Sequence, residues 1–243
     1  MSQNYSKLIK ITFFLVWIIT SFIVAELILS IISVLLENIF NFSLDSLNSA
    51  LVNTVYASIL YLLTLVIAII SPLYWKKKIN TNIKDIGLDR LPSWGDILIT
   101  PVSIIGYFLF SACLLIIFTN IFPWIDANQV QDIGFDNLSQ RYEYLLTFFT
   151  LVIIAPFAEE TLFRGYLFGK IKKYAPVWVA ILITSMVFGS VHYGGWNVVI
   201  DTFALSVVLC IVREMTGSIW ASVLLHMSKN AIAYFMLFIN PLF

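Results

Sequence analysis

The sequence is poor in charge. Only 12% of its 243 residues are Asp, Glu, Lys or Arg, about half the share with which a soluble domain keeps its surface hydrated. That scarcity excludes a water-soluble globule. Charge of one sign is missing too: 14 basic side chains balance 14 acidic ones, so nothing argues for nucleic acid or another polyanion as a partner. Cysteine is nearly absent, and the two present, Cys113 and Cys210, sit inside apolar runs. A disulfide framework is therefore not expected, and both read as small buried apolar side chains. There is no GxxxxGK(S/T) phosphate loop and no HExxH zinc helix, which sets those two mechanisms aside in their usual forms.

What the chain has instead is apolar length. Sixty per cent of its residues are hydrophobic, 60% by count, and a helix needs roughly 20 such residues to cross a bilayer. Seven candidates stand at about 11–36, 51–74, 96–119, 143–163 (extendable to 173), 177–193, 197–213 and 218–239. The fold class is all-α: a polytopic transmembrane bundle of about seven helices, one integral membrane domain over 1–243. No internal repeat, low-complexity tract or soluble domain interrupts it. Lys7 and Lys10 precede the first run as they would a signal peptide. The run is far longer than a signal's apolar core, and no small-residue cleavage site follows, so it is read as a retained helix. Basic residues concentrate in alternate loops, at Lys7 and Lys10, at Lys76 to Arg90, at Lys170 to Lys173 and at Arg213. That alternation predicts a multi-pass protein of the cell membrane, N-terminus cytoplasmic and C-terminus on the opposite side.

Ionisable groups inside a span are expensive, so each is a functional candidate. Glu26 and Asp201 stand alone, and pairing with another helix explains them as well as chemistry does. Arg213 and Glu214 fall at the cytoplasmic boundary. The run from Ala155 to Gly165 is different, because it sets Glu159 and Glu160 side by side with Arg164 just beyond. Glu160 and Arg164 are four residues apart in the favourable acid-first order. Their pairing would hold Glu160 ionised and leave Glu159, about 100° round the helix, to face another neighbour as a general base. A structural ion-pair network between helices is the competing explanation. Pro156 removes a backbone hydrogen bond just ahead of the pair and predicts a kink. Gly165 and Gly169 have the spacing that admits a second helix closely.

Histidine occurs only twice. His192 ends the run that begins near Val177, with Phe188 four residues before it and placed to pack on its ring. His226 lies inside the last span, and Asn230 projects from the same helical face, pairing an imidazole donor with an amide donor. A depth check shows that these groups can meet. If the fourth and fifth helices form a hairpin turning near Ala175-Pro176, Glu159 lies 16 residues before the turn and His192 17 after it. Both are then roughly 25 Å from it. His226 and Asn230 lie at depths of roughly 12 and 18 Å in a helix entered from the same side, a looser match that improves if the Lys170–Lys173 end projects into the cytoplasm.

Taken together, Glu159-Glu160-x-x-x-Arg164, Phe188-x-x-x-His192 and His226-x-x-x-Asn230, in that order and each in a membrane span, resemble the three motifs of the CPBP intramembrane protease family. That family includes the type II CAAX prenyl endopeptidases and the bacterial Abi proteins. The resemblance spans roughly residues 143–239, the catalytic helices, and the first three helices contribute nothing specific. It implies an intramembrane endopeptidase without a cofactor. Glu159 would be the base that polarises a water, assisted by His192, while His226 and Asn230 would stabilise the oxyanion and Glu160 and Arg164 would support them. The implied substrate is a membrane-associated peptide or protein, CAAX-like or otherwise. Two other readings stay open. A zinc ion held by Glu159, His192 and His226 would also hydrolyse amides, although Asn230 is a poor zinc ligand and suits a donor pair better. A non-enzymatic transporter, or a binding protein such as one conferring bacteriocin immunity, would also place charges in the membrane. But the glutamate segment has no second copy of the kind transporter repeats show, and complete motifs argue against an idle site.

Overall fold

The computed structural model describes residues 2–40, 47–70, 81–129, 135 and 138–239. Among these residues every regular element is a helix: α1 (Ser2–Phe40), α2 (Ser49–Ile70), the single turn α3 (Ile83–Ile86), α4 (Trp94–Ile121), α5 (Arg141–Ile171), α6 (Val177–Val191), α7 (Trp196–Thr216) and α8 (Trp220–Ile239). The protein is a multi-pass helical membrane protein. The basic stretch Lys76–Lys78, which bears on orientation, lies outside the described residues.

Five helices, α1, α2, α4, α5 and α8, are long and apolar enough to cross a bilayer. The other two expected spans fall short for different reasons. With 15 residues, α6 rises only about 22 Å, less than the roughly 30 Å of a hydrocarbon core. With 21 residues α7 is long enough, but Asp201, Arg213 and Glu214 dilute its apolar character. The seven-span expectation therefore holds for five helices. The loops nevertheless gather at two ends. At one end Ile219 N–H and Ser218 Oγ–H donate to Gly87 O, Trp220 Nε1–H donates to Arg90 O, and Lys173 and Lys172 pair with Asp85 and Glu214. At the other, Asn48 Nδ2–H donates to Glu143 and Asn197 Nδ2–H donates to Gln129 O. Between these ends α6 and α7 run up and back.

The most enclosed of the five spans is α5, with 56% of its most apolar stretch buried against 11% for α4. On α4 the side chains Leu98, Val102, Ile105, Leu109 and Ile116 form one exposed stripe, as expected where lipid tails replace protein neighbours. Both cysteines are free. Cys210 is buried as expected, but Cys113 is exposed on α4, because an apolar run need not turn every side chain toward protein.

Two local features of α5 shape the centre. The first is Pro156. The helix widens to π geometry over Phe149–Ile154 and again over Thr161–Leu167. In the first of these turns Ala155 N–H reaches back five residues to Thr150 O, and Pro156 has no N–H to offer the next carbonyl, that of Leu151. The irregularity expected at the proline thus takes the form of an orphaned carbonyl. The second is Gly165, where a Cβ would stand 2.6 Å from Ile86 Cγ2. The close approach read from the glycine spacing is present, and the partner is the short α3. It is closed by Gly87 at φ 87°, a left-handed position that favours glycine.

Candidate active site

Four helices meet around Glu159, which is buried on α5. Its Oε1 accepts a hydrogen bond from the Tyr61 hydroxyl on α2. Its Oε2 lies 3.7 Å from His192 Nε2 at the end of α6 and 3.8 Å from His226 Nε2 on α8. The hairpin arithmetic is met: Pro176 caps α6, and the carboxylate and the imidazole stand at one height. The looser match for His226 closes as well.

Each ring is held by its other nitrogen. His192 Nδ1 is 2.7 Å from Phe188 O, and since a carbonyl only accepts, Nδ1 carries the hydrogen. In the neutral ring Nε2 is then an acceptor aimed at Glu159. His226 Nδ1 is 2.9 Å from Glu160 Oε1, again the donor to an acceptor. The same Glu160 oxygen receives Arg164 Nη1 at 3.0 Å, and both side chains are fully buried. The i, i+4 pair expected on α5 is present, and it also orients a histidine from another helix. Phe188 packs at the hub, its centroid 4.4 Å from the His192 ring and 5.9 Å from the His226 ring. The Arg164 guanidinium lies 4.1 Å from the same centroid, a cation–π contact suited to a buried arginine.

Asn230 behaves differently from expectation. Its Nδ2–H donates to Leu151 O at 2.8 Å, the carbonyl that Pro156 leaves without a helical partner. The amide therefore ties α8 to α5 instead of standing free beside His226. A second N–H on the same nitrogen remains, and the residue lines the same cavity as Glu159, His192 and His226.

Tyr61 escaped the sequence reading because a tyrosine in an apolar helix attracts no notice. A signal was present in the spacing: Thr54 and Tyr61 are seven residues apart and share a face of α2. Thr150 Oγ1–H donates to Thr54 Oγ1 at 3.0 Å, which fixes α2 against α5 and sets Tyr61 opposite Glu159. The isolated acids found partners of the bland kind. Glu26 accepts from Tyr56, and Asp201 accepts from Tyr107 and Ser111.

Two cavities flank Glu159, Tyr61 and His192. One of about 510 Å³ carries the polar groups, with Thr202, His226, Lys229 and Asn230 in its wall. The other, about 320 Å³, is walled by Ile18, Phe22 and their neighbours on α1 and by Val187 and Val191 on α6. Glu159, Tyr61 and His192 thus stand between a polar and an apolar chamber. By helical rise Glu159 lies about 18 Å from the end of α5 at Ile171. Although Glu159, His192 and His226 approach one another, among the described residues no group of three His, Cys, Asp or Glu side chains is gathered as a metal centre requires.

Residues 141–232 match the family model described as type II CAAX prenyl endopeptidase Rce1-like. A protein of Escherichia coli described as an uncharacterized 24.3 kDa protein is 32% identical over 94 residues, which is 37% of this chain and 43% of that one. UPF0177 protein YxdF of Lactococcus lactis subsp. lactis (strain IL1403) is 31% identical over 106 residues, 44% of this chain and 58% of its own length. The chain thus spans about half the length of the curated relatives it matches. No solved structure matches it. Residues 141–232, which supply every member of the cluster except Tyr61, are thus similar to the Rce1-like type II CAAX prenyl endopeptidases, a family of proteases.

Proposed function

We propose that the protein is an intramembrane endopeptidase in which Glu159 activates a water for attack on a peptide bond. One observation carries the reading: two imidazole Nε2 atoms converge on a single carboxylate oxygen at 3.7 and 3.8 Å. That spacing is too long for direct hydrogen bonds and is the spacing a bridging water fills. Glu159 Oε2 takes a proton from this water, His192 Nε2 orients it, and its oxygen bonds to the carbonyl carbon. The proton then passes to the leaving nitrogen as the C–N bond breaks. The developing oxyanion receives His226 Nε2–H and the second N–H of Asn230, donors fixed in place before the reaction. For His226 to donate from Nε2 while Nδ1–H is bound to Glu160, both ring nitrogens must carry hydrogen. Glu160 already balances Arg164, so the ring's charge is balanced by Glu159 and, once Glu159 has taken the proton, by the oxyanion. The substrate is a membrane-associated peptide or protein, of CAAX-like or other sequence, reached from within the lipid bilayer. The N-terminus lies in the cytoplasm and the C-terminus on the opposite side.

Zinc held by Glu159, His192 and His226 is the second reading, favoured by one observation: both rings are anchored through Nδ1 and present Nε2, as zinc-ligating histidines are. The Tyr61 hydroxyl occupies Glu159 Oε1, and Asn230 in the same cavity suits a hydrogen-bond donor better than a zinc ligand, so the metal-free reaction is preferred. The experiment compares membrane peptides from cells making the protein and its Glu159→Gln variant, followed by hydrolysis of a responding peptide by purified protein. The expected result is hydrolysis that is lost in the variant and unaffected by a strong chelator. Hydrolysis by the variant would remove Glu159 as the base, and chelator inhibition reversed by zinc would install the metal.

A further inference from the structure

Among the charged and imidazole side chains lining the polar cavity, Lys229 is the one that the proposed chemistry leaves without a task. It lies three residues after His226 and one before Asn230 on α8, and its side chain is 21% exposed. A lysine at such depth is costly and needs a reason. Its only acidic neighbour among the described residues explains little. Nζ is 3.8 Å from Asp201 Oδ2, beyond hydrogen-bond distance. Asp201 is meanwhile fixed from another side, since its Oδ1 accepts from Tyr107 Oη–H at 2.7 Å and Ser111 Oγ–H at 2.5 Å, both on α4. The aspartate is thus held whether or not the lysine stays, and the lysine's three donors are free to turn. Lys229 also borders a second cavity of about 260 Å³ between α4, α7 and α8, where Asp201 lies. It therefore stands at the junction of that cavity and the catalytic one.

We propose that Lys229 forms a carboxylate-binding subsite of the catalytic cavity, with Asp201 as its counter-ion in the resting protein, so that the preferred peptides carry a free carboxylate close to the bond that is cut. The inference rests on the reading of Glu159, His192 and His226 as a peptidase. It adds what that reading lacks, an element that selects one peptide over another. On binding, the peptide carboxylate accepts from Nζ in place of the distant Asp201, and Asp201 keeps its two hydroxyl donors. A charge-assisted bond to a side chain only 21% exposed is worth on the order of tenfold to a hundredfold in relative rate.

The test uses full-length protein in nanodiscs of zwitterionic phosphatidylcholine, so that no lipid anion competes. It uses one cleavable apolar peptide in three forms: free acid, C-terminal amide, and amide with a glutamate as last residue. Wild type is expected to cleave the acid, the glutamate form or both at least about tenfold faster than the plain amide; which of them is favoured tells a chain terminus from a side chain. Lys229→Met should bring that ratio to about one and Lys229→Arg should restore it, whereas a folding defect would lower all rates and leave the ratio alone. A ratio of one in wild type, or one that survives in Lys229→Met, overturns the subsite. If none of the peptides is cleaved, the peptidase reading falls. Binding of the same labelled peptides, followed by fluorescence anisotropy, then still decides Lys229: acid preference lost in Lys229→Met supports it, and equal affinities refute it.

Discussion

The adjacent glutamates should fail in different ways when each is replaced by glutamine. Glu160 is fully buried, with Arg164 at 3.0 Å and His226 at 2.9 Å on the same oxygen. Glutamine keeps the shape and one acceptor but removes the charge that balances Arg164. An uncompensated buried charge costs about 3–5 kcal/mol, and the retained acceptor places the expected loss near the lower end, about 3 kcal/mol. For a chain of this size each kcal/mol is roughly 2–4 °C of Tm, so Glu160→Gln should melt roughly 6–12 °C below wild type. Glu159 has no such debt, because its neighbours are histidines, which have a neutral form, and not an arginine, which has none. Its histidines stand beyond hydrogen-bond distance, and the Tyr61 hydroxyl keeps an acceptor in the glutamine's amide oxygen, a weaker one than the carboxylate. Glu159→Gln should therefore cost under about 1 kcal/mol and shift Tm by no more than roughly 4 °C. Both variants should lose turnover, the first through a misaligned His226 and the second through the missing base. The assay is thermal unfolding of the three proteins in one detergent at one pH, with peptide hydrolysis on the same preparations. Equal losses of Tm, or a Glu159→Gln variant less stable than Glu160→Gln, would refute the division of labour.

Asn230→Ala should do two things at once: lose about 1 kcal/mol of stability with the Leu151 bond, and lower kcat about 100- to 1,000-fold with little change in substrate affinity. Near-normal kcat in the folded fraction would leave Asn230 as a bridge between helices only. Tyr61→Phe removes the donor to Glu159 Oε1 and should change kcat on the order of tenfold to a hundredfold, read as initial rates in nanodiscs; an unchanged kcat would make the hydroxyl a packing detail. A reporter fused after Phe243 should lie opposite the N-terminus. Because α6 and α7 form a pair, this holds whether five or seven helices cross, and a C-terminal reporter in the cytoplasm would show that one of the five long helices does not span.

The helical membrane class was legible from charge scarcity and apolar run length alone, because bilayer thickness sets those quantities directly. Glu159, Glu160, Arg164 and both histidines were legible for a related reason: an ionisable side chain stands out against an apolar background. Their meeting in space followed from residue counts on either side of Ala175-Pro176. What escaped depends on side chains or backbone that are unremarkable in sequence. Tyr61 is an ordinary aromatic until α2 is docked on α5. The partner of Asn230 is a carbonyl freed by Pro156 and a five-residue helical register, and no spacing rule announces that register. The count of crossings escaped because α6 is short and α7 carries Asp201, Arg213 and Glu214, and loop contacts rather than hydropathy reveal that both run between the two ends.

The apolar chamber beside Glu159 is built largely by side chains from outside the motifs. Its outer wall is α1, through Ile18, Ile19, Phe22 and Ile23, and Tyr61 comes from α2. Both helices precede the stretch that matches the family model, residues 141–232. A chain trimmed to its recognisable part would keep every motif yet leave the base without its hydroxyl donor and open to acyl chains. Dryness at the reacting atoms is thus set by the least recognisable portion of the sequence. Two proteins with identical motifs and different opening helices should run the same chemistry and admit different molecules to it.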